Sequence, residues 1–96
     1  LTVHHLIAEL YEGVDWVLVE GFRESNLPKI EVWRPDAGQL ARYPDDDFVV
    51  AIATPARTLL PVDTLRPVLD LDQPREVARW LIDNGPRFDY LPEMFA

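Results

Sequence analysis

"VDWVLVEGF" occupies residues 14–22, and its reading decides the fold. Four apolar residues in a row, Trp16, Val17, Leu18 and Val19, run into Glu20 and Gly21. Such a run is greasy on both faces, the pattern of a strand inside a parallel sheet rather than at a solvated edge. Glu20 then falls at the carboxyl end of the strand, the rim where open α/β sheets bind ligands. A carboxylate there stays solvated or pairs with a metal. Gly21 lets the backbone turn, or a ligand approach, with no Cβ in the way.

Working outward, Val3, Leu6, Ile7, Leu10 and Tyr11 recur at helical spacing and predict an amphipathic helix that stops at Gly13. After a polar loop, Pro28 opens "KIEVWR" (residues 29–34), where Ile30 and Val32 alternate with Lys29, Glu31 and Trp33. Alternation behind a proline predicts an edge strand, with Trp33 on the outer face. The gap from Glu20 to Lys29 is too short for a helical crossover, so this strand is expected antiparallel to residues 14–19 or projecting from the main sheet.

"LARY" (residues 40–43) is a weak segment between two turn-rich stretches. "FVVAIAT" (residues 48–54) is a second strand apolar on both faces, and "VLDL" (residues 68–71) a short third. The last helix is capped by Asp72 or Gln73, has Pro74 in its first turn and ends at Asn84-Gly85. Val77, Ala78, Trp80, Leu81 and Ile82 are expected to face inward, and Trp16 and Trp80 to be core.

Two strands buried on both faces need helices on each side of the sheet, and only two convincing helices are present. The rest of the sheet is therefore expected upstream, on a second chain or on a symmetry mate. With 96 residues this is one domain at most, able to bury roughly 60–65% of its unfolded surface. The chain carries 17 acidic against 9 basic side chains, which argues against a nucleic-acid groove and against docking on an anionic membrane. No apolar run approaches bilayer length. Without cysteine there is no disulfide framework, thiolate metal site or cysteine nucleophile. A cytoplasmic location is expected, and a chain that opens on Leu1 rather than Met reads as processed or as one piece of a longer polypeptide.

Taken together, "LVEGF" (residues 18–22) with Arg23 next, followed by "PKIEV" (residues 28–32), resembles the molybdopterin-guanine dinucleotide biosynthesis protein B family. The similarity continues more weakly through "FVVAIAT", "VLDLD" and the last helix, up to Gly85. The resemblance implies an α/β fold with a mainly parallel sheet of P-loop NTPase type, incomplete in this chain, with an edge strand or hairpin used for dimer contacts. It implies that residues 1–85 form the C-terminal part of that domain and residues 86–96 a flexible or partner-docking tail. The family's phosphate-binding GxxxxGK[ST] does not occur here, so GTP and Mg²⁺ are expected only in a complete protein. The implied partners are a second copy or a second chain supplying the P-loop half, and a molybdopterin guanylyltransferase. At most slow GTP hydrolysis is implied, and none by this chain alone.

Residue by residue, the resemblance places Glu20 at the Mg²⁺ and Gly21 beside a phosphate. Arg23 and Lys29 are the nearby cations and Thr54 lies on the same rim. In the family an acidic residue often follows the second strand, near the base; Pro55 stands there instead, so no carboxylate follows Thr54 to meet the base's N1 and N2 donors. The alternative is a non-catalytic interaction or dimerisation module that has lost nucleotide binding and keeps residues 29–34 and the aromatic tail for partners.

Other residues carry less. His4 and His5 point about 100° apart on a helix and cannot share one ion well; a solvated helix face is expected. Asp45, Asp46 and Asp47 lack the spacing of a calcium loop and read as a capping turn. Ser25, Thr54 and Thr58 have no histidine or lysine at triad spacing.

Overall fold

The computed structural model describes residues 3–10, 13–21 and 24–90. Its elements are helix α1 (Val3–Leu10), strands β1 (Lys29–Val32), β2 (Val49–Thr54) and β3 (Val68–Asp70), and helix α2 (Pro74–Asp83). Three short 3-10 turns, Pro35–Ala37, Tyr43–Asp45 and Gly85–Phe88, complete the order. The chain divides into two compact units: Leu1–Asn26 together with Asp89–Ala96, and Leu27–Phe88.

The larger unit holds a three-stranded sheet in the order β1-β2-β3, parallel throughout. Glu31 lies opposite Ile52, which lies in turn opposite Val68. The central strand β2 is buried along almost its whole length, as its unbroken apolar run predicts. The α/β class, the parallel sheet and the edge position of β1 thus agree with the sequence reading.

β1 runs parallel to β2, which requires a crossover of a dozen or more residues. That crossover carries the turns Pro35–Ala37 and Tyr43–Asp45 and folds back over one face of the sheet. There Tyr43, Val49 and Ile52 form the core, with Trp33, Ala41 and Leu60 packed around them. This reverses the expected sense of β1. Trp33 packs inward rather than outward, while Val32 is 59% exposed. The face that alternation marks as polar is the covered one, because Lys29 and Glu31 hydrogen-bond the segment lying above it.

The strand expected over residues 14–19 does not form. Residues 16–20 have no regular structure and Leu18 is 83% exposed. A strand exists only with a partner to hydrogen-bond, and the described residues of this unit contain none. The antiparallel arrangement expected for β1 therefore has no strand to refer to. Trp16, expected in the core, is half exposed.

α2 begins where the sequence places it, with Gln73 as N-cap, Pro74 in the first turn and Asn84 as C-cap. It packs against β3, and Trp80 meets Phe88 edge-to-face at 6.0 Å. Its inward stripe is narrower than predicted: Val77, Trp80 and Leu81 are half-buried, whereas Ala78 and Ile82 are exposed.

In α1, Val3 and Ile7 are buried one turn apart. His4 is half-buried rather than solvated. Its Nε2 lies 2.8 Å from Asn26 Oδ1 and its Nδ1 2.9 Å from the Tyr90 hydroxyl, while His5 is exposed. Of the expected aromatic tail, Tyr90 is therefore bonded to the helix; Leu91, Met94 and Phe95 lie outside the described residues.

Candidate functional site

Glu20 and Gly21 follow the irregular apolar stretch of the smaller unit, and both are exposed. Gly21 has φ +76°, a conformation L side chains rarely adopt, and a Cβ built there would meet nothing within 4 Å. The glycine is thus required by its backbone angle and leaves open space beside Glu20. Arg23 lies outside the described residues.

Lys29 and Thr54 belong to the other unit and are both engaged within it. Lys29 Nζ lies 2.6 Å from Asp46 Oδ2 and 5.7 Å from the centre of the Phe48 ring. Thr54 is 4% exposed, and its hydroxyl donates to the Trp33 carbonyl at 2.8 Å. That bond ties the exit of β1 to the exit of β2, at the carboxyl rim of the sheet.

The "PKIEV" block also does structural work that alternation does not reveal. The Glu31 carboxylate accepts the backbone N–H of Tyr43 at 2.7 Å and that of Arg42 at 2.9 Å. It therefore caps the 3-10 turn Tyr43–Asp45 from a neighbouring strand, as a capping side chain satisfies the orphan donors of a helix start. Tyr43, 1% exposed, donates its hydroxyl hydrogen to the Val62 carbonyl and accepts the Val62 N–H at 3.0 Å. Arg66 Nη1 donates to the Tyr43 carbonyl at 2.6 Å. The aspartate turn was legible as a turn; its role as the knot joining β1, β2 and the loop around residue 62 was not.

Asp46 is the titrating member of this knot. Burial pushes its carboxyl up, but the Lys29 hydrogen bond, the Phe48 N–H and the charges of Lys29 and Arg42 outweigh that and hold it below its ordinary 3.8. A carboxyl depressed on folding adds stability that is complete above the unfolded value and lost as pH falls through the folded one. The Asp46→Asn variant is accordingly expected to be less stable by about 1 kcal/mol near neutral pH. Its deficit should shrink once the pH passes below 3.8. Urea unfolding at neutral and acidic pH checks this; a deficit that persists in acid would show that the pair is not responsible.

An open cleft of about 670 Å³ lies elsewhere in the larger unit, walled by Tyr43, Val50, Val62, Leu65, Arg66 and Arg87 among others. Glu20, Gly21, Lys29 and Thr54 are not among the residues that line it. Among the described residues no three acidic or histidine side chains gather as a metal site, and no helix is long and apolar enough to cross a membrane.

The "VEGF" block thus places an exposed Glu20-Gly21 pair behind an apolar run, and the "PKIEV" block forms the edge strand β1 beside the buried β2. The family profile for molybdopterin guanine dinucleotide synthesis protein B, MobB, matches residues 1–55. This chain belongs to the MobB family. The match spans both blocks and ends just past β2, and the parallel sheet is consistent with part of a P-loop NTPase-like fold. Membership associates the chain with molybdenum-cofactor biosynthesis. No curated protein and no solved structure matches it.

Against the MobB background, the residues present fit a magnesium ion in one limited way. Mg²⁺ keeps several waters and takes one or two carboxylates besides substrate phosphates, and exposed Glu20 beside the open space at Gly21 can supply one. They do not fit GTP on their own, since no GxxxxGK[ST] cradle is present in the sequence.

Proposed function

We propose that this chain is the C-terminal portion of a GTP-binding accessory protein acting in molybdopterin guanine dinucleotide biosynthesis in the cytoplasm. The observation that carries the reading is the MobB match across residues 1–55, with the "VEGF" and "PKIEV" blocks inside it. In this reading residues 1–85 are the C-terminal part of a P-loop NTPase-like domain, and residues 86–96 a partner-docking tail. A second copy or a second chain supplies the P-loop half, and joining the nucleotide to the pterin belongs to a guanylyltransferase partner. Glu20 holds Mg²⁺ through its carboxylate, Gly21 admits a phosphate, and Arg23 adds positive charge. Thr54 fixes the carboxyl exits of β1 and β2 through the Trp33 bond, whereas Lys29 stands at the amino end of β1, where its Asp46 bond holds the crossover.

The exposed stretch of residues 14–19 also fits. Its apolar side chains are those of a strand awaiting a neighbour, and the P-loop half would supply one. A second reading, an interaction module without nucleotide binding, is favoured by Pro55 in the place of a base-reading carboxylate.

Calorimetric titration separates the two. Mg-GTP added to this chain alone is expected to give no saturable heat that depends on Glu20. Mixed with a P-loop-bearing N-terminal segment of a MobB-family protein, the chain should bind Mg-GTP. Glu20→Ala should then weaken binding at least tenfold, about 1.4 kcal/mol. Absence of binding in the mixture would favour the interaction module. Glu20-dependent binding by the chain alone would overturn the need for a P-loop half.

A further inference from the structure

Cations in this acidic chain are scarce, and the structure spends several of them internally. Lys29 is held by Asp46, and Arg66 by the carbonyls of Tyr43 and Asp46. Arg34 and Arg57 are different. Both are exposed, and among the described residues neither guanidinium makes an ion pair or hydrogen bond. Both lie just past the carboxyl ends of adjacent parallel strands, Arg34 beyond β1 and Arg57 beyond β2.

The backbone brings these two exits together and stiffens them. Trp33 N–H donates to the Ala53 carbonyl at 2.9 Å, and the Thr54 hydroxyl to the Trp33 carbonyl at 2.8 Å. Arg34 therefore leaves the sheet alongside Thr54 and Pro55. Residues 55–58 then form a turn closed by Thr58 N–H to the Pro55 carbonyl at 3.2 Å. Asp72 braces it from the β3 side by accepting the Ala56 N–H at 3.2 Å. At the tip, Arg57 takes φ +61°, and among the described residues it is the one non-glycine side chain with a positive φ. That turn position ordinarily belongs to glycine. A long charged side chain kept at an unfavourable backbone angle, on a sheet rim where ligands bind, calls for a role beyond making the turn.

We infer that Arg34 and Arg57 form a phosphate-binding pair at the carboxyl rim of β1 and β2, taking a phosphoryl or pyrophosphoryl anion. Two guanidinium groups on neighbouring strand exits suit an anion with several oxygens, because each offers planar paired donors. The carboxylates nearby are Asp36, Asp70 and Asp72. Asp70 accepts the Asp72 N–H at 2.8 Å, and Asp72 the Ala56 N–H, so these two are turned toward backbone. Their charge keeps the affinity weak, and added salt screens the exposed guanidinium groups further. The inference does not rest on the GTP reading, since the pair lies wholly within Leu27–Phe88 and uses neither Glu20 nor a P-loop.

The test is a titration of the full chain with inorganic pyrophosphate, without Mg²⁺, followed by ¹H–¹⁵N correlation spectra. Saturable shifts are expected at the amides of Arg34 and of Ala56, Arg57 and Thr58. Glycine adopts positive φ freely, so Arg57→Gly removes the guanidinium while keeping the turn. It should leave the rest of the spectrum in place and weaken pyrophosphate binding at least fivefold, as should Arg34→Ala, while Arg79→Ala, at an exposed position of α2, changes nothing. The inference is overturned if Arg57→Gly binds as tightly as the parent chain, or if the shifts centre on Lys29, Arg66 or Arg87. It also falls if sodium chloride at equal ionic strength reproduces the shifts, or if Arg79→Ala weakens binding as much as Arg57→Gly does.

Discussion

Tyr43→Ala is expected to destabilise the larger unit by about 3–5 kcal/mol, the range for truncating a fully buried aromatic ring. Tyr43 and Ile52 are the largest fully buried side chains among the described residues, and with Val49 they form the centre of the core. The ring also carries a hydroxyl bonded to both polar backbone groups of Val62. Tyr43→Phe separates the contributions: it keeps the ring, strands those two groups, and should lower stability by about 1–2 kcal/mol. For a domain of this size total stability is about 5–15 kcal/mol, so the alanine variant should be marginal or unfolded. Thermal unfolding reads the difference, at roughly 4–8 °C per kcal/mol. A Tyr43→Ala variant within about 1 kcal/mol of the parent would mean that the core does not centre on this ring.

Tyr43 was also the residue least legible in the sequence. It closes a four-residue segment with no period, between prolines and aspartates, and such a stretch reads as surface turn. Its burial comes from the crossover folding back on the sheet, a tertiary event that periodicity does not encode. α1, β2, β3 and α2 were legible, because each carries its own pattern: a helical stripe, an apolar run, or a proline and cap at a helix start. β1 was legible as an edge strand but inverted in its faces. Polarity predicts which side meets water only when the polar groups lack partners in the protein; Lys29 has Asp46, and Glu31 has two backbone amides. Residues 14–19 show the opposite failure. Their side chains read as a buried strand, and the strand is not formed, because pairing depends on a neighbour these described residues do not provide. At the candidate site, Glu20 and Gly21 stood out because a carboxylate and a glycine ending an apolar run conflict with burial. Arg57 did not stand out, since nothing in "TPART" announces a positive φ.

Glu31→Ala is the second large effect expected, about 2–3 kcal/mol. The carboxylate accepts two backbone N–H groups at the start of the turn Tyr43–Asp45, at 2.7 and 2.9 Å. Hydrogen bonds to a charged acceptor are stronger than neutral ones, and leaving a part-buried amide without a partner adds its desolvation penalty. Glu31→Gln keeps one acceptor oxygen but turns an NH₂ donor toward the amides, so it should lower stability by about 1–2 kcal/mol. The residue sits in the middle of the "PKIEV" block, where a charged side chain on an edge strand invites a ligand-facing role. The two roles predict different things. A capping Glu31 makes its loss visible without any ligand: the urea midpoint falls, and the Arg42 and Tyr43 amides exchange with solvent faster than the rest of the unit. A ligand-facing Glu31 on an exposed edge would change stability by no more than about 0.5 kcal/mol and leave those amides protected. Because Arg66 bonds the same turn through the Tyr43 carbonyl, the loosening should spread to the loop around residue 62. Glu31→Ala combined with Arg66→Ala should then fall short of the sum of the two single effects, the mark of side chains holding one element between them.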